Sequence, residues 1–289
     1  MSLLKIIVLA IVQGLAELLP VSSSAHVVVA EKLLGLDPSS PPMTLLLVML
    51  HTGTMFAVIA YFWPQWRSTY FKSAPALRNF AGLIVVATVF TAVVGEAIIK
   101  LIEKTAFRNL PHAQIEDLFS HLELIAPALA AAGLLILIAG IFEKRQAARS
   151  GLQVNDLNLK QAGVIGAVQG LCLPFRGFSR SGATISTGML LGVAKARAEA
   201  FSFALAVVLT PPVVAREALR LVQSARINGT ADLASVALMS LLGAGIAFVA
   251  GLLALRWLSR WLEGGRWYLF GIYCLVAAVA VMALHRVGY

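Results

Sequence analysis

A set of long, nearly uncharged apolar runs restricts this chain more than any other feature. Met43–Trp63, Phe80–Ile102, Leu122–Phe142, Leu233–Leu255 and Trp267–Leu284 are each far longer than a strand or a short core helix. As helices rising about 1.5 Å per residue, each crosses roughly 30 Å of hydrocarbon. A sixth run, Phe201–Val222, is also long enough, although Pro211-Pro212 is expected to break its helix. Backbone groups exposed to lipid must be satisfied within their own segment, so all six spans should be helical. Composition agrees, with 59% of residues hydrophobic and 13% charged, against roughly half and a quarter in soluble domains. The expected fold is an all-α integral membrane protein, one membrane domain over residues 1–289, with no room for a soluble domain.

The net charge of +9 would suggest a nucleic-acid partner in a soluble protein. Here the lysines and arginines sit in short loops, where they orient the chain and meet anionic headgroups, so no nucleic acid is expected. Loops 64–79, 143–160 and 256–266 carry the basic excess and are placed on the cytoplasmic side. Loops 104–121 and 223–232 are mixed and are placed outside. Six spans satisfy this alternation and leave over residues 3–36 and 159–195, each beginning and ending on one side. Both are expected to be re-entrant helical hairpins, the first entering from outside and the second from inside. Cys172 and Cys274 lie in apolar stretches and read as single core residues. Lys5 and Ser23-Ser24-Ala25 faintly imitate a signal peptide. Glu17 inside the segment, and the repeat described next, argue against that reading.

The two leftover pieces resemble each other. Val12-Gln13-Gly14-Leu15 is followed by Pro20 and Ser22-Ser23-Ser24. Val168-Gln169-Gly170-Leu171 is followed by Pro174 and Ser179-Arg180-Ser181. The step from Gln13 to Ser23 is ten residues, as is the step from Gln169 to Ser179. Both pieces run on to Leu-Leu-Gly, at 33–35 and 190–192. A hairpin and three spans then make up each half, 1–150 and 157–289. Three spans is an odd number, so the second half starts from the opposite side. The expected architecture is an inverted-topology repeat, a design that places its site near the midplane on broken helices.

Hairpin one should run as helix 3–18, a break at Pro20, and a second helix over 25–35. Gln13 and Glu17 are four apart and share a helix face. Glu17 then points at a turn holding Ser22, Ser23, Ser24 and His26. An ionised group at bilayer depth costs about 2.5–3.5 kcal/mol or more and is functional by default. The turn of hairpin two holds Arg176, Ser179, Arg180 and Ser181, with a helix expected over about 183–192. Two helix N-termini with unpaired N–H groups, together with two arginines, make an anion site suited to phosphate oxygens. A serine or histidine nucleophile, a neighbouring base and an arginine are the equipment of phosphoryl transfer. Read blandly, the serines are helix caps, His26 is a satisfied structural histidine, and Glu17 and Arg180 form a structural ion pair.

Gln13-x-x-x-Glu17, Pro20-Val21-Ser22-Ser23-Ser24-Ala25-His26 and Ser179-Arg180-Ser181-Gly182 together resemble the conserved segments of bacterial undecaprenyl-diphosphate phosphatases, the bacitracin-resistance family. The resemblance extends over essentially the whole chain. It implies a plasma-membrane hydrolase, with its site facing outward, that converts a polyprenyl diphosphate to the monophosphate and recycles the carrier lipid of cell-wall synthesis. It also implies a divalent cation, magnesium or calcium. By position, Glu17 takes the part of metal ligand or base, Ser23 and His26 those of nucleophile and partner in either order, and Arg180 that of phosphate clamp. Gln13, Ser22, Ser24, Arg176, Ser179 and Ser181 are implied to line the substrate. The chain departs from the pattern at Gln13, where many members carry glutamate, and at Pro174-Phe175-Arg176-Gly177-Phe178, which leaves the role of Arg176 open.

A transporter of polyprenyl phosphate is the rival reading, since inverted repeats with midplane hairpins are common in transporters. Transport needs an anion site but not a nucleophile beside a base. An acid-phosphatase-like lipid phosphatase is excluded because its pattern needs a histidine where Ser186 stands. Glu96, His51 and Thr52 lie within spans and are assigned to helix pairing and local hydrogen bonding. The Gly243, Ala247 and Gly251 stripe is a helix-packing face. A homodimer is compatible with the sequence but not specified by it.

Overall fold

A computed structural model of the chain describes residues 2–36, 41–105, 121–147, 156–228, 233–262 and 265–288. Helices account for nearly all of these, and among the described residues there is no strand. In chain order they are α1 (Leu3–Leu18), α2 (Ser23–Leu33), α3 (Pro41–Thr69), α4 (Ala74–Thr105), α5 (Leu122–Ala147), α6 (Leu159–Cys172), α7 (Arg180–Leu190), α8 (Lys195–Asn228), α9 (Leu233–Leu262) and α10 (Tyr268–Arg286). Some of the charge that set the expected topology, Arg108, Glu116, Asp117, Arg149 and Asp232, lies outside the described residues.

Five helices, α3, α4, α5, α9 and α10, are long and apolar enough to cross a membrane among the described residues. The sixth expected span, 201–222, falls in α8 and is not among the five; its side chains are described only in part beyond Pro212. Pro211-Pro212 does not end α8, which continues through both prolines. Helices in a membrane setting tolerate such prolines because packing and side chains re-satisfy the freed groups. Directly before them, the Thr210 hydroxyl donates to Ala206 O at 2.7 Å.

The paired short helices form for local reasons. Pro20 lacks an N–H and ends the helical run, so α1 stops at Leu18 with an extended Leu19. Ser22 caps α2 from a left-handed backbone, φ 67°, and is the one non-glycine residue with positive φ among those described. Holding a serine there costs about 1–2 kcal/mol, which the surrounding turn must offset. Asn158 and Gln161 form a reciprocal capping box at the start of α6, and Ser179 caps α7. Both second helices begin earlier than expected, at Ser23 rather than 25 and at Arg180 rather than 183. The cap in each case is the first serine of the cluster, so Ser23, Arg180 and Ser181 already lie on helix.

Both short helices end alike. Gly35 (φ 61°) and Gly192 (φ 82°) are left-handed, and the following amides, Leu36 and Val193, donate back to Glu31 O and Gly188 O at 2.9 and 3.0 Å. The Leu-Leu-Gly sequences thus close as matching αL caps.

Packing crosses between the halves. α1 lies on α9, and α6 lies on α4. α5 pairs with α10, and α3 with both α8 and α9. The two cross-contacts rest on equivalent glycines. A Cβ on Gly14 would meet Ala247 O at 2.8 Å and Gly251 N at 3.1 Å. A Cβ on Gly170 would meet Thr91 O at 2.8 Å and Gly95 N at 3.0 Å. The Gly243/Ala247/Gly251 stripe is therefore used within the chain, against α1 and α3. Polar side chains add to the α4–α6 contact, where Gln169 Nε2 donates to Thr91 Oγ1 at 3.2 Å and Thr91 Oγ1 donates to Gly166 O at 2.9 Å.

Gly14→Val and Gly170→Val are each expected to destabilise the protein by about 2–3 kcal/mol, because backbone cannot retreat from the new side chain. Gly82→Ala, where nothing lies within 4 Å, is the control. Thermal unfolding in detergent checks both, and a Val variant that melts like the control would refute the close contact.

Candidate functional site

The two breaks meet. Gly177 N donates to Ser24 Oγ at 3.3 Å, and Ser181 Oγ donates to Leu19 O at 3.3 Å, so each turn is stitched to the other. Gly177 has φ 101° and lies against Ile125 O, a place and conformation closed to a side chain. Cys274 Sγ approaches Pro20 O at 3.5 Å and ties α10 to the first break.

At this junction Glu17 is the hub. Its side chain is only 12% exposed. Arg180 Nη2 donates to Oε1 at 2.6 Å. Ser23 Oγ donates to Oε2 at 2.5 Å, and Gln13 Nε2 donates to the same oxygen at 3.0 Å. His51 Nε2, from α3, lies 3.5 Å from Oε2. The carboxylate reaches Ser23 because α1 ends one residue later and the chain doubles back through Pro20. A buried carboxylate is tolerable here because a guanidinium and two hydrogen-bond donors compensate it.

The other expected residues divide into two groups. Ser22, Ser24, Ser179 and Ser181 hold the turns. Ser22 Oγ accepts from Ala25 N at 3.4 Å and lies 3.2 Å from Ser24 Oγ, and Ser179 Oγ accepts from Gly182 N at 3.2 Å. Arg176 is half-buried beside Gly177 and faces Glu31 electrostatically. Glu31 is itself 0% exposed on α2, and neither of its oxygens is hydrogen-bonded. His26 pairs elsewhere than with Ser23. Its Nδ1 is 2.8 Å from Ser22 O and its Nε2 is 2.7 Å from the Tyr273 hydroxyl of α10.

Sequence reasoning missed two neighbours of the site. His51 does make the expected local bond, to Leu47 O at 2.9 Å, but its other nitrogen faces Glu17. An ionisable side chain inside an apolar run was the available signal. Tyr273 gave no signal, being one aromatic residue in an apolar helix. Glu96, assigned to helix pairing, instead pairs with Lys100 of its own helix, α4, at 3.5 Å on an exposed face.

A pocket opens beside the hub between α3 and α8. Glu17, His51 and Arg180 lie at its polar end, and Met55, Val58, Phe203 and Val207 form apolar walls. Gln13 Oε1 is buried without a hydrogen-bond partner, one helical turn from Glu17. These are hard oxygen donors of the kind magnesium and calcium take, although among the described residues no group of three His, Cys, Asp or Glu side chains is gathered to hold a metal unaided. The donor set fits a cation that shares its shell with substrate phosphate and water.

An α-helical, multi-pass membrane protein with a serine, a carboxylate and an arginine locked together where two helix breaks meet is the class that fold and site define. Residues 6–280 match the family described as bacitracin resistance protein BacA, and the chain belongs to that family. It is 53% identical to undecaprenyl-diphosphatase 2 of Acinetobacter baylyi, with 98% of each chain covered. It is 30% identical to undecaprenyl-diphosphatase of Rhodopirellula baltica, again over 98% of each. Against undecaprenyl-diphosphatase of Desulfosudis oleivorans the identity is 35%, over 93% of this chain and 94% of the relative.

Proposed function

We propose that this protein is an undecaprenyl-diphosphate phosphatase that releases inorganic phosphate and leaves the lipid monophosphate. The observation that carries the reading is the Ser23 hydroxyl donating to Glu17 Oε2 at 2.5 Å while Arg180 holds the other carboxylate oxygen. Ser23 Oγ attacks the terminal phosphorus as its proton passes to Glu17. The bond to the bridging oxygen breaks, and undecaprenyl monophosphate leaves. Water then cleaves the phosphoserine to free phosphate and serine. Arg180 turns its fork to the equatorial oxygens, where charge is spread in the transition state. Gln13 Oε1 and Glu17 would hold a magnesium or calcium ion, which supplies charge neutralisation on the diphosphate. The prenyl chain lies along Met55, Val58, Phe203 and Val207, between α3 and α8.

The matched glycine contacts of α1 on α9 and α6 on α4, with matching αL caps, support two inverted repeats, each a re-entrant hairpin followed by three spans with α8 as the sixth. In that arrangement the protein sits in the bacterial inner membrane with Glu17 open to the outside. A carrier of polyprenyl phosphate is not favoured, since it would need the arginine but not a hydroxyl set on a carboxylate. In sealed proteoliposomes, wild-type protein is expected to release phosphate from undecaprenyl diphosphate presented on the face that becomes external, and to lose activity with a chelator. Folded protein that binds the lipid and releases no phosphate sinks the hydrolytic reading.

A further inference from the structure

The cation that suits this site has oxygen donors on α1, Gln13 and Glu17, and a nitrogen donor faces them from α3. His51 Nδ1 is 2.9 Å from Leu47 O. A backbone carbonyl can only accept, so Nδ1 carries the ring hydrogen and Nε2 keeps its lone pair in the neutral ring. That nitrogen lies 3.5 Å from Glu17 Oε2, itself an acceptor. Two acceptors face each other stably only with positive charge between them. A second ring proton would supply it, but a charge-assisted N–H···O bond closes to about 2.7–2.9 Å. Arg180 has closed to 2.6 Å on the other carboxylate oxygen, whereas the imidazole stands off. Ligands about 2.1–2.2 Å from one ion, set at roughly 90–110°, are about 3.0–3.5 Å apart. The gap therefore has the width of a shared metal ion. A far N–H bonded to a carbonyl is also how metal-ligating histidines are oriented.

The helix that carries His51 is pinned at this level. A Cβ on Gly53, two residues along α3, would collide with Ala244 O of α9. His51 lines the pocket beside Glu17 and Arg180, and its side chain is 44% exposed, which leaves room for water and a phosphate oxygen on the ion. Glu17 Oε2 already accepts from Ser23 and from Gln13 Nε2. A half-turn of the Gln13 amide exchanges its two ends. The buried Oε1, which has no hydrogen-bond partner, then replaces the Nε2 donor, and Oε2 keeps Ser23 and gains the ion. We propose that His51 Nε2 is a ligand of the cation together with Glu17 Oε2 and Gln13 Oε1, and that this nitrogen makes the site take manganese ahead of calcium. The proposal rests on the cation of the phosphatase reading above and names the protein ligand and the metal preference. Calcium takes oxygen ligands almost alone. Imidazole binds the first-row transition ions, and manganese accepts oxygen and nitrogen together.

The test loads purified full-length protein with manganese, with and without undecaprenyl monophosphate, and reads the bound ion by pulsed electron paramagnetic resonance. The wild type is expected to show coupling to one imidazole nitrogen, which changes on 15N-histidine labelling. His51→Ala and His51→Gln are expected to lose that coupling, and His26→Ala to keep it. His51→Gln retains an oxygen donor, so it should still bind manganese even if the alanine variant folds poorly, and thermal unfolding identifies a variant that has lost its fold. In folded His51→Ala the manganese Kd is expected to rise by at least about tenfold, the lower end of what loss of even an outer-shell partner costs a metal site. Calcium affinity, read by displacement of manganese from the wild type and from His51→Gln, is expected to change less. No bound manganese, bound manganese without histidine coupling, coupling that survives loss of His51, or equal losses for the two ions overturns the proposal, and an imidazolium paired with Glu17 by charge alone gives the second of these. Phosphate release by the wild type is measured on the same preparation. If it persists while the coupling is absent, the phosphatase reading stands without this ligand, and if the coupling is present with no release, the ligand stands and the phosphatase reading fails.

Discussion

Ser23→Ala is expected to lower kcat by roughly a thousandfold or more, about 4 kcal/mol of transition-state stabilisation. The substitution removes one oxygen and leaves the cap of α2 intact, because that cap is the Ser22 side chain. Folding should therefore be close to unchanged, and any loss of rate belongs to chemistry. Glu17→Gln is expected to come close to the same loss, since an amide cannot take the serine proton. The two together should cost little more than either alone, as residues acting on one proton transfer are not additive. Lipid affinity in Ser23→Ala should persist, because phosphate is held by arginine and helix N-termini rather than by the nucleophile. Steady-state rates plus a phosphorylation trap at short times provide the check. A Ser23→Ala protein that keeps a tenth of its rate would show that His26 or water makes the first attack.

Arg180→Ala should cost about 100- to 1,000-fold in kcat, the range for removing a donor aimed at developing charge. It has a second expected effect on stability. Glu17 is 12% exposed and Arg180 27% exposed, and their contact is 2.6 Å. Removing the arginine leaves a nearly buried carboxylate without its main counter-charge, a destabilisation of about 2–3 kcal/mol given the partial exposure of the arginine. Glu17→Gln in the same protein should restore most of that stability and none of the activity. Arg180→Lys keeps the charge but loses the fork, so it should fall between wild type and Arg180→Ala in rate. Thermal unfolding and kcat measured on the same preparations separate the two roles. If Arg180→Ala melts low and Arg180→Ala/Glu17→Gln melts equally low, the pair is not what holds the junction together.

Glu17, Ser23 and Arg180 were legible in the sequence because each breaks an apolar context that has no use for it. The breaks at Pro20 and Ser179 were legible for the same reason, since proline and helix-capping serines act within three or four residues. The starts of α2 and α7 were misplaced by two or three residues because several consecutive serines can each cap, and only the closed turn chooses. Pro211-Pro212 was read as a break within the span 201–222, where the helix continues unbroken instead. His51 carried a signal as an ionisable group in an apolar run but its pairing with Glu17 did not show, and Tyr273 carried none. They come to the site on α3 and α10, and what makes them matter is the azimuth at which those helices face the hairpin. Nothing in the local sequence encodes that azimuth. The glycines at 14 and 170 encode part of it, by marking where backbones touch.

Membrane segments leave the ribosome in sequence order, so α1 enters the bilayer long before α9, against which it packs, has been made. α6 emerges with α4 already in place. The second hairpin can therefore dock during synthesis, whereas the first must wait for the far end of the chain. Through that interval Glu17 has Gln13 and Ser23, and Arg180 arrives on α7 before α9 does. A nascent chain that stalls before α9 carries every residue of the Ser23–Glu17–Arg180 hub and still lacks the surface that seats α1. Truncated chains that end before α9 are therefore expected to release no phosphate from the lipid.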